Sequence, residues 1–147
     1  MQSNKTIRKG SLDDLNQIYL IEKDAFSNDY WTLEMIESEL KNFLGTTTWV
    51  IEESTVILGY CMMRIVCNEA NIINMAIKSS RQREGLGSLL LGYVLNQLPI
   101  NSSVFLEVKE GNLSALNLYK RLGFNVINLR KNYYKDGRTA LIMHLEH

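Results

Sequence analysis

Two polar side chains interrupt otherwise apolar patterns: Glu107 inside Val104-Phe105-Leu106-Glu107-Val108, and Tyr119 on the helical face Leu116, Tyr119, Leu122. A carboxylate within an apolar strand is costly unless it is paired or set at a gap in the sheet. On an edge strand Glu107 simply faces water. At a gap, partial desolvation lifts its pKa toward neutrality and makes it a general base. Tyr119 divides in the same way. Aromatic residues at helical spacing usually fill cores, yet a phenol can also give its proton to a departing thiolate, whose unperturbed pKa lies within about two units. Asn112 precedes the Tyr119 helix as its cap and is free to touch a ligand as well.

The third feature is Gln82-Arg83-Glu84-Gly85-Leu86-Gly87, between the strand-like Asn71-Ile72-Ile73-Asn74-Met75-Ala76-Ile77 and the helical run from Ser88 to Leu95. Strand, short basic loop with two glycines, and helix together point backbone N–H groups and a positive helix end at an anion. Ordinary turn and packing glycines give the same bare pattern. A dinucleotide fingerprint needs a third glycine or alanine where Leu90 stands, and a Walker loop needs Gly-Lys-Ser/Thr, so both fail on spacing.

Composition narrows the field. The 147 residues suit one domain with one good core, assigned to residues 1–144, with 145–147 as a C-terminal end resembling a tag remnant. Zero formal net charge argues against a nucleic-acid footprint. Neither a membrane-length apolar run nor an N-terminal signal region is present, so a cytoplasmic protein with no membrane partner is expected. Six residues of strand separate Cys61 from Cys67, roughly 20 Å and too far for a disulfide, so both are expected as reduced core residues. His144 and His147 sit at the C-terminus, which disfavours a histidine triad or zinc site; no metal is expected.

These residues must be positioned by a sequence of elements. Thr6 to Lys9 reads as a strand. Ser11 and Asp14 form a capping box for a helix burying Leu12, Leu15, Ile18, Ile21 and Ala25. Thr32 caps a second helix carrying Leu33, Ile36, Leu40 and Phe43, closed by Gly45. Strands follow at Thr47–Glu52, Leu58–Cys67 and Ala70–Ile77, the turns between them suiting an antiparallel meander. A helix with Leu86, Leu89, Leu90, Tyr93 and Val94 on one face stops at Pro99. The strand Val104–Val108, a helix from Asn112 to Gly123, and strands Phe124–Arg130 and Thr139–Leu145 complete the chain. The order β-α-α-β-β-β-α-β-α-β-β predicts an α/β (α+β) domain with a mixed sheet of about seven strands and four helices. Loop aromatics Tyr30-Trp31 and Asn132-Tyr133-Tyr134 either bind an acceptor or pack over the sheet edge. The acidic run Glu22, Asp24, Asp29, Glu34, Glu37, Glu39 is a solvated helix face or an attractant for a basic acceptor.

Taken together, Gln82 through Gly87, Glu69-Ala70, Asn74 through Ile77, Leu106-Glu107-Val108, Asn112, Leu118-Tyr119, Leu122-Gly123-Phe124 and Arg130 through Tyr134 resemble the GCN5-related N-acetyltransferase (GNAT) superfamily over essentially the whole chain. Its pyrophosphate loop has the form Q/R-x-x-G-x-G/A. The likeness is greatest to bacterial members that acetylate the N-terminal alanine of small-subunit ribosomal protein eighteen. It implies the GNAT fold with a mostly antiparallel sheet, and direct transfer from acetyl-CoA through a ternary complex to a protein N-terminus. Glu107 would be the proton acceptor and Tyr119 the proton donor to the thiolate. Coenzyme contacts would come from Met75, Ala76, Ile77, Arg83, Glu84, Gly85, Leu86, Gly87, Ser88 and Asn112, in the opening between the strands ending near Ile77 and beginning near Val104. Tyr30, Trp31, Asn132, Tyr133 and Tyr134 would hold the acceptor, with the protein a monomer or weak dimer. Arg138-Thr139-Ala140 departs from the pattern, since related sequences carry an acidic residue just before the alanine. Acetylation of a small amine or an antibiotic, or acyl-CoA binding without catalysis, are the competing functions.

Overall fold

A computed structural model describes residues 4–26, 28–42 and 45–147. Seven strands form one sheet: β1 (Lys5–Lys9), β2 (Thr46–Glu53), β3 (Val56–Val66), β4 (Glu69–Ile77), β5 (Ser103–Lys109), β6 (Asn125–Arg130) and β7 (Ala140–Glu146). Four helices flank it: α1 (Leu15–Ala25), α2 (Leu33–Leu40), α3 (Leu86–Asn96) and α4 (Leu113–Arg121). The sheet order is β1-β2-β3-β4-β5-β7-β6. Every neighbouring pair is antiparallel except β4 and β5. This is the expected element order, with a 3-10 turn before α1 and another before the glycine loop.

Both sheet faces are buried, as β3 shows on either side of a bulge that leaves Leu58 as an extra residue. Ile57, Tyr60 and Met62 pack with Ile18 and Ile21 of α1 and Ile36 of α2. Leu58, Cys61 and Met63 point to the opposite side, where Leu90, Leu91 and Val94 of α3 and Tyr119 of α4 lie. Thr32 caps α2 by accepting from the Met35 N–H at 3.2 Å. At the start of the first helical segment the Ser11 N–H donates to Asp14 Oδ2 at 2.9 Å.

Some side chains turn differently from the expected faces. Helix α3 buries Leu86, Leu90, Leu91, Val94 and Leu95, while Leu89 and Tyr93 are exposed. The run Leu89-Leu90-Leu91 is apolar all round, so periodicity cannot choose between adjacent stripes. Leu12 is exposed on the opening turn of the first helical segment. Cys61 is buried and its thiol pushed up to about 12 by desolvation, the chemistry of an inert core residue. Cys67 is not in the core; it lies in the β3–β4 turn, exposed, with φ +56°. Helix α2 ends at Leu40 rather than running toward Gly45, and Phe43 lies outside the described residues. No described helix is long and apolar enough to cross a membrane.

Candidate active site

The one parallel pair in the sheet is also the one that opens. Strands β4 and β5 pair only over Glu69–Ile72 and Ser103–Leu106. Beyond that, Asn74–Ile77 stay with β3, and Glu107–Lys109 stay with β7. The facing edges of β4 and β5 there have backbone groups outside any ladder. The opening begins at a bulge: Met62 pairs with Asn74 and Met63 with Ile72, leaving Ile73 as the extra residue. A bulge bends its strand and increases twist, which turns β4 away from β5. The resulting cleft is about 1090 Å³ and is lined by Trp31, Met75, Glu107, Asn112, Tyr119, Tyr133 and Tyr134 among others.

Glu107 occupies the gap rather than an edge strand, since β5 lies between β4 and β7. Its side chain is about a third exposed and its Oε1 stands 3.3 Å from Arg130 Nη1. The burial expected from its apolar strand is therefore absent, because the splay removes the neighbour that would cover it. Tyr119 is both a core residue and a cleft residue. Its ring packs edge-on against Phe124 at 5.9 Å, while the residue lines the cleft and is 8% exposed. No hydrogen bond to its hydroxyl occurs among the described residues. Desolvation, then the Cys61 thiol, pushes its pKa well above the ordinary phenol value, so the proton stays on the ring oxygen. Asn112 caps α4 by accepting from the Ala115 N–H at 3.3 Å and borders the cleft.

The glycine loop sits off the end of β4, outside the cleft wall. Gln82 donates its side-chain N–H to the Ile77 carbonyl at 3.2 Å, tying the loop to the strand. Arg83 and Gly85 have φ +65° and +78°. Gly85 is the N-cap of α3, and nothing lies within 4 Å of where a Cβ would stand. The N–H groups of Leu86, Gly87 and Ser88 have no intrahelical partner. That open, donor-rich cradle fits a pyrophosphate. Gly87 also serves a packing role: a Cβ there would lie 2.9 Å from Leu118 Cδ2 of α4. Glu84 would repel a phosphate, but Arg81 holds it in two bonds of 2.7 and 3.0 Å and keeps its carboxyl below the usual range. Leu86 and Ala76 bury their side chains in the two cores, which leaves only their backbones available to a ligand.

Trp31, Tyr133 and Tyr134 border the cleft, whereas Tyr30 and Asn132 do not. Tyr30 packs edge-on against Tyr19 at 6.3 Å. Lys109 spans the mouth: its Nζ is 2.8 Å from Asp29, 2.9 Å from Asp136 and 5.1 Å from the centre of the Tyr134 ring. Most of the acidic run is already engaged, Asp24 with Ser79, Asp29 with Lys109, Glu37 with Lys41 and Glu39 with Arg64. Glu22 is buried rather than solvated. Arg130, Lys109, Asn74 and Glu22 are cleft residues that no sequence motif marked as a group. Asn74 and Arg130 lie in segments that carry the family resemblance and Glu22 in the acidic run, but none of these, nor Lys109, was given a role in the site.

A family model for the Acetyltransferase (GNAT) family matches residues 12–124. The ribosomal protein bS18-alanine N-acetyltransferase of Escherichia coli (strain K12) is 30% identical over 145 residues, covering 95% of this chain and 96% of that protein. The crystal structure of the ribosomal-protein-S18-alanine N-acetyltransferase from Escherichia coli superimposes with a TM-score of 0.88 at 30% identity, covering 97% of this chain and 94% of that one. Arabidopsis thaliana NAA60 in complex with acetyl-CoA shares the fold, with a TM-score of 0.85 at 16% identity over 97% of this chain and 98% of that one. A family model matching residues 12–124 and a relative 30% identical over nearly all of both chains show that this chain belongs to the GNAT family of N-acetyltransferases.

Proposed function

We propose that this enzyme transfers the acetyl group of acetyl-CoA directly to the N-terminal alanine of ribosomal protein bS18, within a ternary complex. The observation that carries this reading is the placement of Glu107 and Tyr119 on one cleft at the β4–β5 opening, in a chain whose Escherichia coli relative is named for that reaction. Acetyl-CoA supplies a thioester activated for attack by an amine. Gly85 through Ser88 receive its pyrophosphate, and Met75, Ala76, Ile77 and Asn112 border its path. A backbone N–H on the free edge of β4 polarises the thioester carbonyl. Glu107, directly or through water, accepts the ammonium proton, and Tyr119 gives a proton to the sulfur.

An α-amine has a pKa near 7.8 and a lysine near 10.4, so deprotonation at pH 7 costs roughly 1 against roughly 4.6 kcal/mol. One solvent-accessible carboxylate suffices for the first, which supports an N-terminal acceptor. Trp31, Tyr133 and Tyr134 are the walls available to that acceptor. The test is intact-mass analysis of small-subunit ribosomal proteins incubated with acetyl-CoA, with and without the enzyme. The expected result is one acetyl increment on bS18, mapped to its N-terminal alanine. Turnover of small amines with bS18 left unmodified would overturn the proposal.

A further inference from the structure

Behind the acceptor wall lies a carboxylate that the transfer chemistry leaves unused. Glu22, on α1, is 1% exposed and borders the cleft. Among the described residues it has no cationic partner; its three hydrogen bonds come from neutral donors. Oε2 accepts from the Trp31 backbone N–H at 3.0 Å, and Oε1 accepts from the Tyr60 hydroxyl at 2.8 Å and from the Asn74 side-chain amide. Burial first, then the Glu22 charge, raises the Tyr60 pKa well above its usual value, so Tyr60 keeps the proton it donates. A carboxylate this deep is costly unless its lone pairs are satisfied, and an apolar side chain would fill the same space with no such demand.

What distinguishes this carboxylate is where its hydrogen bonds lead. Trp31 opens the segment entering α2 and forms part of the acceptor side of the cleft. Asn74 follows the bulged Ile73 and precedes Met75, on the strand edge freed by the splay. One side chain thus joins the wall that meets the acceptor to the strand that meets the thioester. We infer that Glu22 is a positioning residue for acyl transfer, holding the Trp31 segment and the β4 edge in register so that amine and thioester meet at attack distance. The inference rests on the acyl-transfer reading of the cleft, and its effect belongs in kcat, because a misplacement of about 1 Å costs on the order of 100-fold.

The test substitutes Glu22→Gln, which conserves shape but sets an NH2 group among three donors. With the full chain, acetyl-CoA and a peptide beginning with alanine, kcat is expected to fall about 10- to 100-fold while the acetyl-CoA Kd stays within about twofold. In the wild type, saturating acetyl-CoA should slow hydrogen exchange at the Trp31 amide; in Glu22→Gln that linkage should vanish. A kcat within about threefold of wild type, or a parallel loss of kcat and acetyl-CoA affinity, would overturn the inference. Asn74→Ala removes only the β4 bond and decides the matter if Glu22→Gln does not fold: the same fall in kcat is expected, and an unchanged kcat refutes the role. If the wild type fails to turn over the peptide, the acceptor assignment falls, and acetyl-CoA-linked protection of Trp31 alone then decides the role of Glu22.

Discussion

Replacing Tyr119 by phenylalanine separates catalysis from packing with unusual clarity. The ring contributes to the core through Phe124 and its burial, and phenylalanine keeps all of that. The hydroxyl has no hydrogen-bond partner among the described residues. That oxygen is not one of the buried unpaired polar atoms of the described residues and belongs to a side chain lining the cleft, so its removal should leave Tm about unchanged. The catalytic effect is not neutral. Burial raises the Tyr119 pKa; the folded state therefore binds the proton more tightly, and any stability it lends is full below the ordinary phenol pKa and lost as pH rises through the raised one. The same dry environment raises the proton affinity of a departing thiolate, keeping donor and acceptor matched. Loss of a general acid costs roughly 100-fold or more in kcat, about 2.7 kcal/mol. Steady-state kinetics with a saturating alanine peptide, together with thermal unfolding and acetyl-CoA titration, provides the assay. The expected result is kcat down about 100-fold, acetyl-CoA affinity preserved and Tm not lowered. The wild type should also show no alkaline loss of kcat attributable to Tyr119 below about pH 10. Turnover within threefold of wild type would return Tyr119 to the core and assign the leaving-group proton to water.

Glu107→Gln should lower kcat by about 100-fold or more and leave acetyl-CoA affinity intact; near wild-type turnover would remove Glu107 from the mechanism. Gly85→Ala forces an alanine into φ +78°, at about 1–2 kcal/mol, or a Tm fall of roughly 4 °C. Its methyl meets no protein atom but stands in the space offered to the pyrophosphate, so acetyl-CoA affinity should fall at least about tenfold; a lowered Tm with unchanged affinity would place the pyrophosphate elsewhere. Lys109→Met unlinks Asp29 from Asp136 and should raise the peptide KM about threefold, an effect that high salt should reproduce in the wild type. Lys109 holds the Asp136 carboxyl below its usual range, so that link persists above the ordinary carboxylate pKa and fails only as pH falls through the lowered one. A peptide KM that changes between pH 5 and 8 in the wild type but not in Lys109→Met would contradict this.

Much of the architecture was legible because its signals are local. Thr32 and Asn112 as caps, and a glycine loop set between a strand and a helix, each need only neighbouring residues. Glu107 shows where that stops. Its type and strand were plain, but the choice between edge and gap depended on β4 parting from β5 at Ile73. No glycine or proline marks that bulge; it is imposed by register against Met62 and Met63. Cys67 was misplaced for the converse reason, since the end of β3 is set by pairing with β4 and not by the apolar run. The stripe of α3 was ambiguous because neighbouring leucines satisfy two helical faces equally.

The proposed donor and acceptor sites differ in the same physical way. The proposed pyrophosphate cradle is one continuous segment, Gln82 to Ser88, whose geometry follows from a strand end, two left-handed residues and a helix start. A contiguous motif can therefore declare it. The proposed acceptor wall is assembled from the α1–α2 segment, β4, β5 and the β6–β7 segment. It is joined by Lys109 to Asp29 and Asp136, by Arg130 to Glu107, and by Glu22 to Trp31 and Asn74. Each of those links crosses between elements, so no linear pattern encodes it. Changing acceptor choice then requires altering residues far apart in sequence while the donor loop stays fixed. Exchanging Trp31, Tyr133 and Tyr134 should shift peptide preference without altering acetyl-CoA affinity, and an equal change in both would show that the two sides are not separable.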